Sequence, residues 1–171
     1  LLVYDPATKE TTTLLNDLYF ANGVALSTDE SFVLVNETWM YRIQKYWLKG
    51  EKAGTSEVFI ENLPGFPDNV SSNKEGIFWV ALFNPRNNFV EMSSNKPFLR
   101  KIVLRLPELL QPQPIRHSFV LGLDESGKIV HNLQYQSNKA YSPITSVKQY
   151  ENNLYFGSLT HPGWGKIKVP K

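Results

Sequence analysis

Asn22 and the pair Asp68-Asn69 are the residues whose type and spacing point to chemistry. Asn22 precedes the apolar run Gly23-Val24-Ala25-Leu26, and Asp68-Asn69 precedes Val70. Short polar side chains entering a buried strand cost free energy unless something satisfies them. Two such entries, at matching places in two similar segments, predict a shared polar centre. The sequence has no cysteine, so that centre excludes thiolate metal sites, and Cys nucleophiles and disulfides are excluded as well. Asn-Gly is also a common turn pair, and this second reading of Asn22-Gly23 stays open.

The elements that position these residues read as strands. Phe32-Val33-Leu34-Val35 and Ile77-Phe78-Trp79-Val80-Ala81-Leu82 are unbroken apolar runs, as expected of strands buried on both faces. Tyr41 to Leu48 mixes large β-compatible residues with Arg42, Gln44 and Lys45, which predicts a half-exposed strand. Turn residues punctuate the chain at Asp5-Pro6, Lys49-Gly50, Asn73 to Gly76, Asp124 to Gly127 and Glu151-Asn152-Asn153. Taking Val24, Val70 and Val147 as equivalent, an aromatic follows at the same distance each time: Phe32, Phe78 and Tyr155.

The first interval of this repeat has the length of a propeller blade. The second is longer by an insertion over 84–116. Within it Leu99, Ile102, Val103 and Leu106 follow Pro97 at helical spacing, with Arg100, Lys101 and Arg105 on a solvated face. The predicted fold class is therefore all-β, part of a six-bladed β-propeller with about three blades present and one helical insertion. Its parts are half a blade (1–18), a blade (22–60), a blade with the insertion (68–134) and a partial last blade (144–169). Leu1 at the start and the incomplete set of blades mark the sequence as the C-terminal part of a longer propeller, since closure takes at least four blades. A β-sandwich is the alternative architecture.

Charge excludes some function classes. Net charge is +2, with 20% charged and 42% hydrophobic residues. That is a globular composition without the basic stripe of a nucleic-acid binder. No apolar run approaches the ~20 residues of a membrane span, so membrane association requires a segment N-terminal to this sequence.

The runs Phe20 to Ser27, Ser31 to Glu37, Tyr46-Trp47-Leu48-Lys49-Gly50 and Pro64-Gly65-Phe66-Pro67-Asp68-Asn69 resemble the strictosidine synthase-like family. The resemblance includes its animal branch, the adipocyte plasma membrane-associated proteins, and extends distantly to paraoxonases and gluconolactonases. It implies a six-bladed propeller and covers about the last half of a family member. It further implies that Asn22 and Asp68 fall on ligand positions for a divalent cation, usually calcium, with Asn69 adjacent. A carboxylate and carboxamide oxygens suit such a hard ion. The implied activity is metal-dependent hydrolysis of a small-molecule ester or lactone, arylesterase included. Alternatives are a non-catalytic ligand- or partner-binding propeller and the amine–aldehyde condensation of true strictosidine synthases. Thr145 stands where those synthases carry a glutamate and cannot exchange a proton as a carboxylate does, which disfavours condensation.

Catalytic groups are otherwise unassigned. His161, in a loop after a buried strand, and Glu37, closing the strand 32–36, are secondary candidates for facing the channel. Phe83 either lines a substrate pocket or packs. His117 and His131 have no visible partner. Asn36-Glu37-Thr38 and Asn69-Val70-Ser71 also match the glycosylation sequon.

Overall fold

The computed structural model describes residues 1–86 and 116–170, with Phe98 and Arg105 between them. The predicted insertion helix therefore lies outside the described residues except at those two positions, which are helical and exposed. The described chain is almost wholly β, in antiparallel sheets. Strands β1 (Leu2–Asp5) and β2 (Glu10–Thr13) form an exposed hairpin. Strands β3 (Ala21–Leu26), β4 (Phe32–Glu37), β5 (Arg42–Trp47) and β6 (Ser56–Ile60) make a four-stranded meander. Strands β7 (Gly65–Ser72), β8 (Ile77–Pro85), β9 (His117–Asp124) and β10 (Ile129–Gln136) make a second. Strands β11 (Ser146–Tyr150), β12 (Asn153–Gly157) and β13 (Gly165–Lys168) form a three-stranded sheet. The first strands of the three sheets lie side by side, β3 against β7 and β7 against β11. This is the arrangement of blades around a propeller axis.

The second strand of a blade is covered on both faces, and that is why β4 and β8 are continuously apolar. One core lies between the first and second meanders, around Leu34, Phe78, Val80 and Leu121. The other lies between the second meander and the last sheet, around Trp79, Ala81, Val147 and Leu154. Full burial of a side chain such as Phe78 or Leu154 contributes about 1.5–3 kcal/mol.

Three details differ from the sequence reading. The aromatic repeat does not mark equivalent positions. Phe32 and Phe78 meet in one core with ring centres 5.8 Å apart, whereas Tyr155 is half-buried beside Trp164. Val24 pairs with Val35, Val70 with Val80 and Val147 with Phe156, so each hairpin is shorter by one residue than the one before. A one-residue shift moves a side chain to the other face of a sheet. Second, Lys45 is buried rather than on an exposed face. Its ammonium stands 4.4 Å from the Phe32 ring centre, 4.8 Å from Phe59 and 4.9 Å from Trp47. Burial lowers its pKa.

Third, Asn22-Gly23 is not a turn but part of β3. A Cβ on Gly23 would come within 2.5 Å of the Asn69 Cα and of the Val70 nitrogen. Glycine is needed here because two inner strands touch backbone to backbone, not for a left-handed conformation. Gly23→Ala is expected to destabilise the fold by about 1–3 kcal/mol, measured by urea unfolding. It also pushes Asn22 away from Asp68. Unchanged stability would mean that β3 and β7 separate at no cost.

Candidate functional site

The site begins with two matching irregularities in the backbone. In β3, Ala21 pairs with Glu37 and Val24 with Val35, so Asn22 and Gly23 together oppose the single residue Asn36. In β7, Pro67 pairs with Leu82 and Val70 with Val80, so Asp68 and Asn69 oppose the single residue Ala81. Each inner strand thus carries one extra residue at the same point. Such bulges re-aim side chains that a regular strand would alternate between faces. They explain how short polar groups sit at the head of otherwise buried strands.

The bulges bring Asn22 and Asp68 together. Asn22 Nδ2 donates to Thr38 Oγ1 at 3.3 Å. Burial pushes the Asp68 carboxyl above its ordinary value, and the nearby Asn22 side chain offsets part of that. Asn36 Nδ2 donates to the Asp68 carbonyl at 2.7 Å and Thr38 Oγ1 to the Pro67 carbonyl at 2.7 Å, tying the β7 bulge to the end of β4. Asn69 is placed differently. Its Nδ2 donates to the Thr145 carbonyl at 2.8 Å and to Asp68 Oδ1 at 3.3 Å, linking β7 to the last sheet.

Asn22 and Asp68 line a cavity of about 420 Å³ together with Thr38 and Asn84. Its remaining wall is apolar: Phe20, Trp39, Phe66, Phe83 and Leu159. Trp39 sits on a single 3-10 turn, Thr38–Met40, between the edges of Phe20 and Phe66 at 5.9 and 5.8 Å. Phe20 and Tyr41, flanking this unit, both adopt left-handed backbone conformations, φ 56° and 51°. A larger cavity, about 600 Å³, opens beside Tyr135, Tyr141 and Ile167 along the unpaired edge of β13. It gathers no carboxylate and lies where the other two full sheets have a fourth strand.

The secondary candidates fall elsewhere. Glu37 is fully buried but is not a channel acid, because both its oxygens are committed. Oε1 accepts from the Tyr19 backbone amide, and Oε2 accepts from Arg42 Nε and Gln44 Nε2. Burial raises its pKa, yet the bonds from Arg42, Tyr19 and Gln44 outweigh that and leave the carboxyl below its usual value. His161 does not line the Asn22–Asp68 cavity. It is exposed and lies against the Tyr141 ring, whose hydroxyl holds the same loop through the Gly163 carbonyl. His117 stacks on Phe119 and pairs with Gln134, and His131 stacks on Trp79. Phe83 lines the cavity. Thr145 is buried with its hydroxyl on the Gly157 carbonyl. Asn36 is buried completely, so its sequon is closed to modification in the folded chain.

Thr38, Trp39, Phe20, Phe66, Asn84 and Leu159 are the lining residues that sequence reasoning missed. Thr38 was visible only as the last residue of a sequon. Its signal is the polar Asn36-Glu37-Thr38 ending on an otherwise apolar buried strand. Among the described residues, no group of three His, Cys, Asp or Glu side chains is placed to hold a metal ion. No described helix is long and apolar enough to cross a membrane.

Comparison with known proteins agrees with this architecture. The family described as strictosidine synthase matches residues 1–51. Strictosidine synthase-like 3 of Arabidopsis thaliana is 42% identical over 165 residues, covering 93% of this chain and 42% of the relative. An adipocyte plasma membrane-associated protein of Bos taurus is 38% identical over 175 residues, covering 99% of this chain and 42% of the relative. Among solved structures, a gluconolactonase of Xanthomonas campestris superposes with a TM-score of 0.57 at 15% identity, covering 91% of this chain and 40% of that one. A calcium-binding regucalcin of Agrobacterium tumefaciens gives 0.54 at 16% identity, covering 90% and 43%. These likenesses carry the propeller fold. The chain spans less than half the length of the curated relatives it matches. Along nearly all of its residues, then, the chain is similar to strictosidine synthase-like and adipocyte plasma membrane-associated proteins.

Proposed function

We propose that this chain supplies part of the active site of a divalent-cation-dependent hydrolase of small esters or lactones. The observation that carries the reading is the pair of matched bulges. They set a carboxylate and a carboxamide together at one end of an aromatic-walled cavity. Asp68 and the Asn22 oxygen would hold the ion, with the Asn69 oxygen adjacent. These are hard oxygen donors, and calcium fits them. The calcium-binding regucalcin and the gluconolactonase among the structural neighbours support that choice of ion and reaction.

The chemistry such an ion supplies is polarisation of a carbonyl group and stabilisation of the charge developing on its oxygen. The chain's own residues do the rest of what this part of the site can do. Phe20, Trp39, Phe66 and Phe83 present an apolar wall that suits an acyl or ring group. Asp68 is the one ionisable group in the described lining, so a general base has to come from outside it.

A second reading, a propeller that binds a ligand without turning it over, is favoured by that same lack of a base. Amine–aldehyde condensation is disfavoured by Thr145, whose hydroxyl is buried against Gly157. The discriminating experiment is turnover of an aryl ester and lactone panel by full-length protein, with calcium and with chelator. Turnover lost on chelation is the expected result. Calcium binding without turnover on any member of the panel would move the assignment to the binding propeller.

A further inference from the structure

We propose that Thr38 is a positioning residue that fixes which end of the Asn22 carboxamide is free for a cation. The inference rests on the cation reading given above but concerns a residue outside the donor set.

A hydroxyl has one hydrogen. That of Thr38 is spent on the Pro67 carbonyl, which can only accept, at 2.7 Å. Toward Asn22 the hydroxyl therefore offers only lone pairs, and only the amide nitrogen can approach it. Nδ2 does so at 3.3 Å. The nitrogen end of the amide is thus committed to Thr38, and Oδ1 is the end left for a ligand. The two ends of an asparagine amide are told apart by such partners. Here the direction is dictated by a hydroxyl whose own direction is dictated in turn.

The dictating group is itself held. Thr38 is buried, and its backbone nitrogen donates to the Phe20 carbonyl at 3.1 Å. It opens the 3-10 turn that carries Trp39 and that ends on left-handed Tyr41. Because Pro67 directly precedes Asp68, the Thr38 bond also ties the donor amide and the carboxylate to one anchor. Partners of this kind behind a metal ligand set its orientation and its affinity.

The test uses full-length protein with Thr38→Val and Thr38→Ser. Calcium affinity is followed by calorimetric titration, and the Asn22 side-chain amide by metal-free ¹⁵N spectra. Thr38→Val keeps the shape but removes the acceptor. It is expected to weaken calcium binding about ten- to a hundredfold and to shift the Asn22 amide signals. Thr38→Ser keeps the acceptor and is expected to stay within about twofold of the parent, with the amide signals in place. If Thr38→Val fails to fold, Thr38→Cys supplies a weak acceptor of similar size and should show the same losses. Unchanged affinity and amide signals in the acceptor-less variant overturn the proposal. So does a Thr38→Ser variant as weak as Thr38→Val, since packing of the methyl group would then be the cause. A parent protein that binds no calcium, while its amide signals still follow Thr38, sinks the cation reading and leaves the orientation in place.

Discussion

Asp68→Ala is expected to remove calcium binding from the full-length protein, with a loss of affinity of at least about a hundredfold by calorimetric titration. Asp68 is the one charged group in the described cavity lining, and the carboxamide of Asn22 does not neutralise a divalent ion by itself. Burial has already raised the Asp68 pKa above 3.8, so the metal-free protein holds an ionised carboxylate at a cost. The sign of the consequence follows. A group whose folded pKa lies above its unfolded value contributes stability at low pH, and that contribution is lost as pH rises from 3.8 through the folded value. At neutral pH Asp68→Asn should therefore make the metal-free protein more stable while weakening calcium binding. Calcium affinity of the parent should fall as pH drops through the Asp68 pKa, because protons then compete with the ion. Retained affinity in Asp68→Ala would remove the site assignment, and a less stable Asp68→Asn would show that Asn22 more than offsets the cost of burial.

Glu37→Gln is expected to cost about 3 kcal/mol in urea unfolding at neutral pH. The substituted amide can still accept from Tyr19, but its nitrogen would face two other donors, Arg42 Nε and Gln44 Nε2. Arg42 would be left partly buried without its counter-charge. Because the folded Glu37 pKa lies below 4.5, its contribution is present above that pH and is lost as pH falls through the folded value. The gap between parent and variant should therefore narrow in acid. A gap that stays constant down to the acid limit would mean that Glu37 stabilises by packing rather than by charge. The same clamp holds the Tyr19–Phe20 corner, so the variant is also expected to loosen the aromatic wall of the cavity.

Much of the fold was legible because its signals are local. Unbroken apolar runs such as Phe32 to Val35 and Ile77 to Leu82 can hardly be anything but strands covered on both faces, and turn residues separate them cleanly. The sheet-by-sheet order follows, since short connections pair neighbouring strands everywhere within the sheets except between β8 and β9. The repeat distance was legible too, yet it misled about Tyr155. A distance along the chain does not record hairpin length, and one residue fewer in each hairpin is enough to turn a side chain over.

The site was legible in part. Asn22 and Asp68 stood out because short polar residues heading buried strands are costly and need a reason. Glu37 and His161, at or beyond the ends of buried strands, were resolved only by their partners. Glu37 meets Arg42, Gln44 and the Tyr19 amide, while His161 packs on Tyr141. Nothing in the order of residues distinguishes a carboxylate saturated by three donors from one that is free.

The sequence by itself determined the strand pattern, the family resemblance, and Asn22 and Asp68 as the residues of interest. Those depend on residue type and on neighbours along the chain. Only the tertiary structure decided that Asn22-Gly23 is a strand rather than a turn, that Asp68 and Asn22 line one cavity, and that the Asn22 amide nitrogen meets the Thr38 hydroxyl. Each depends on two bulges meeting across a gap that admits only glycine, which is a property of how the blades pack and not of either strand alone.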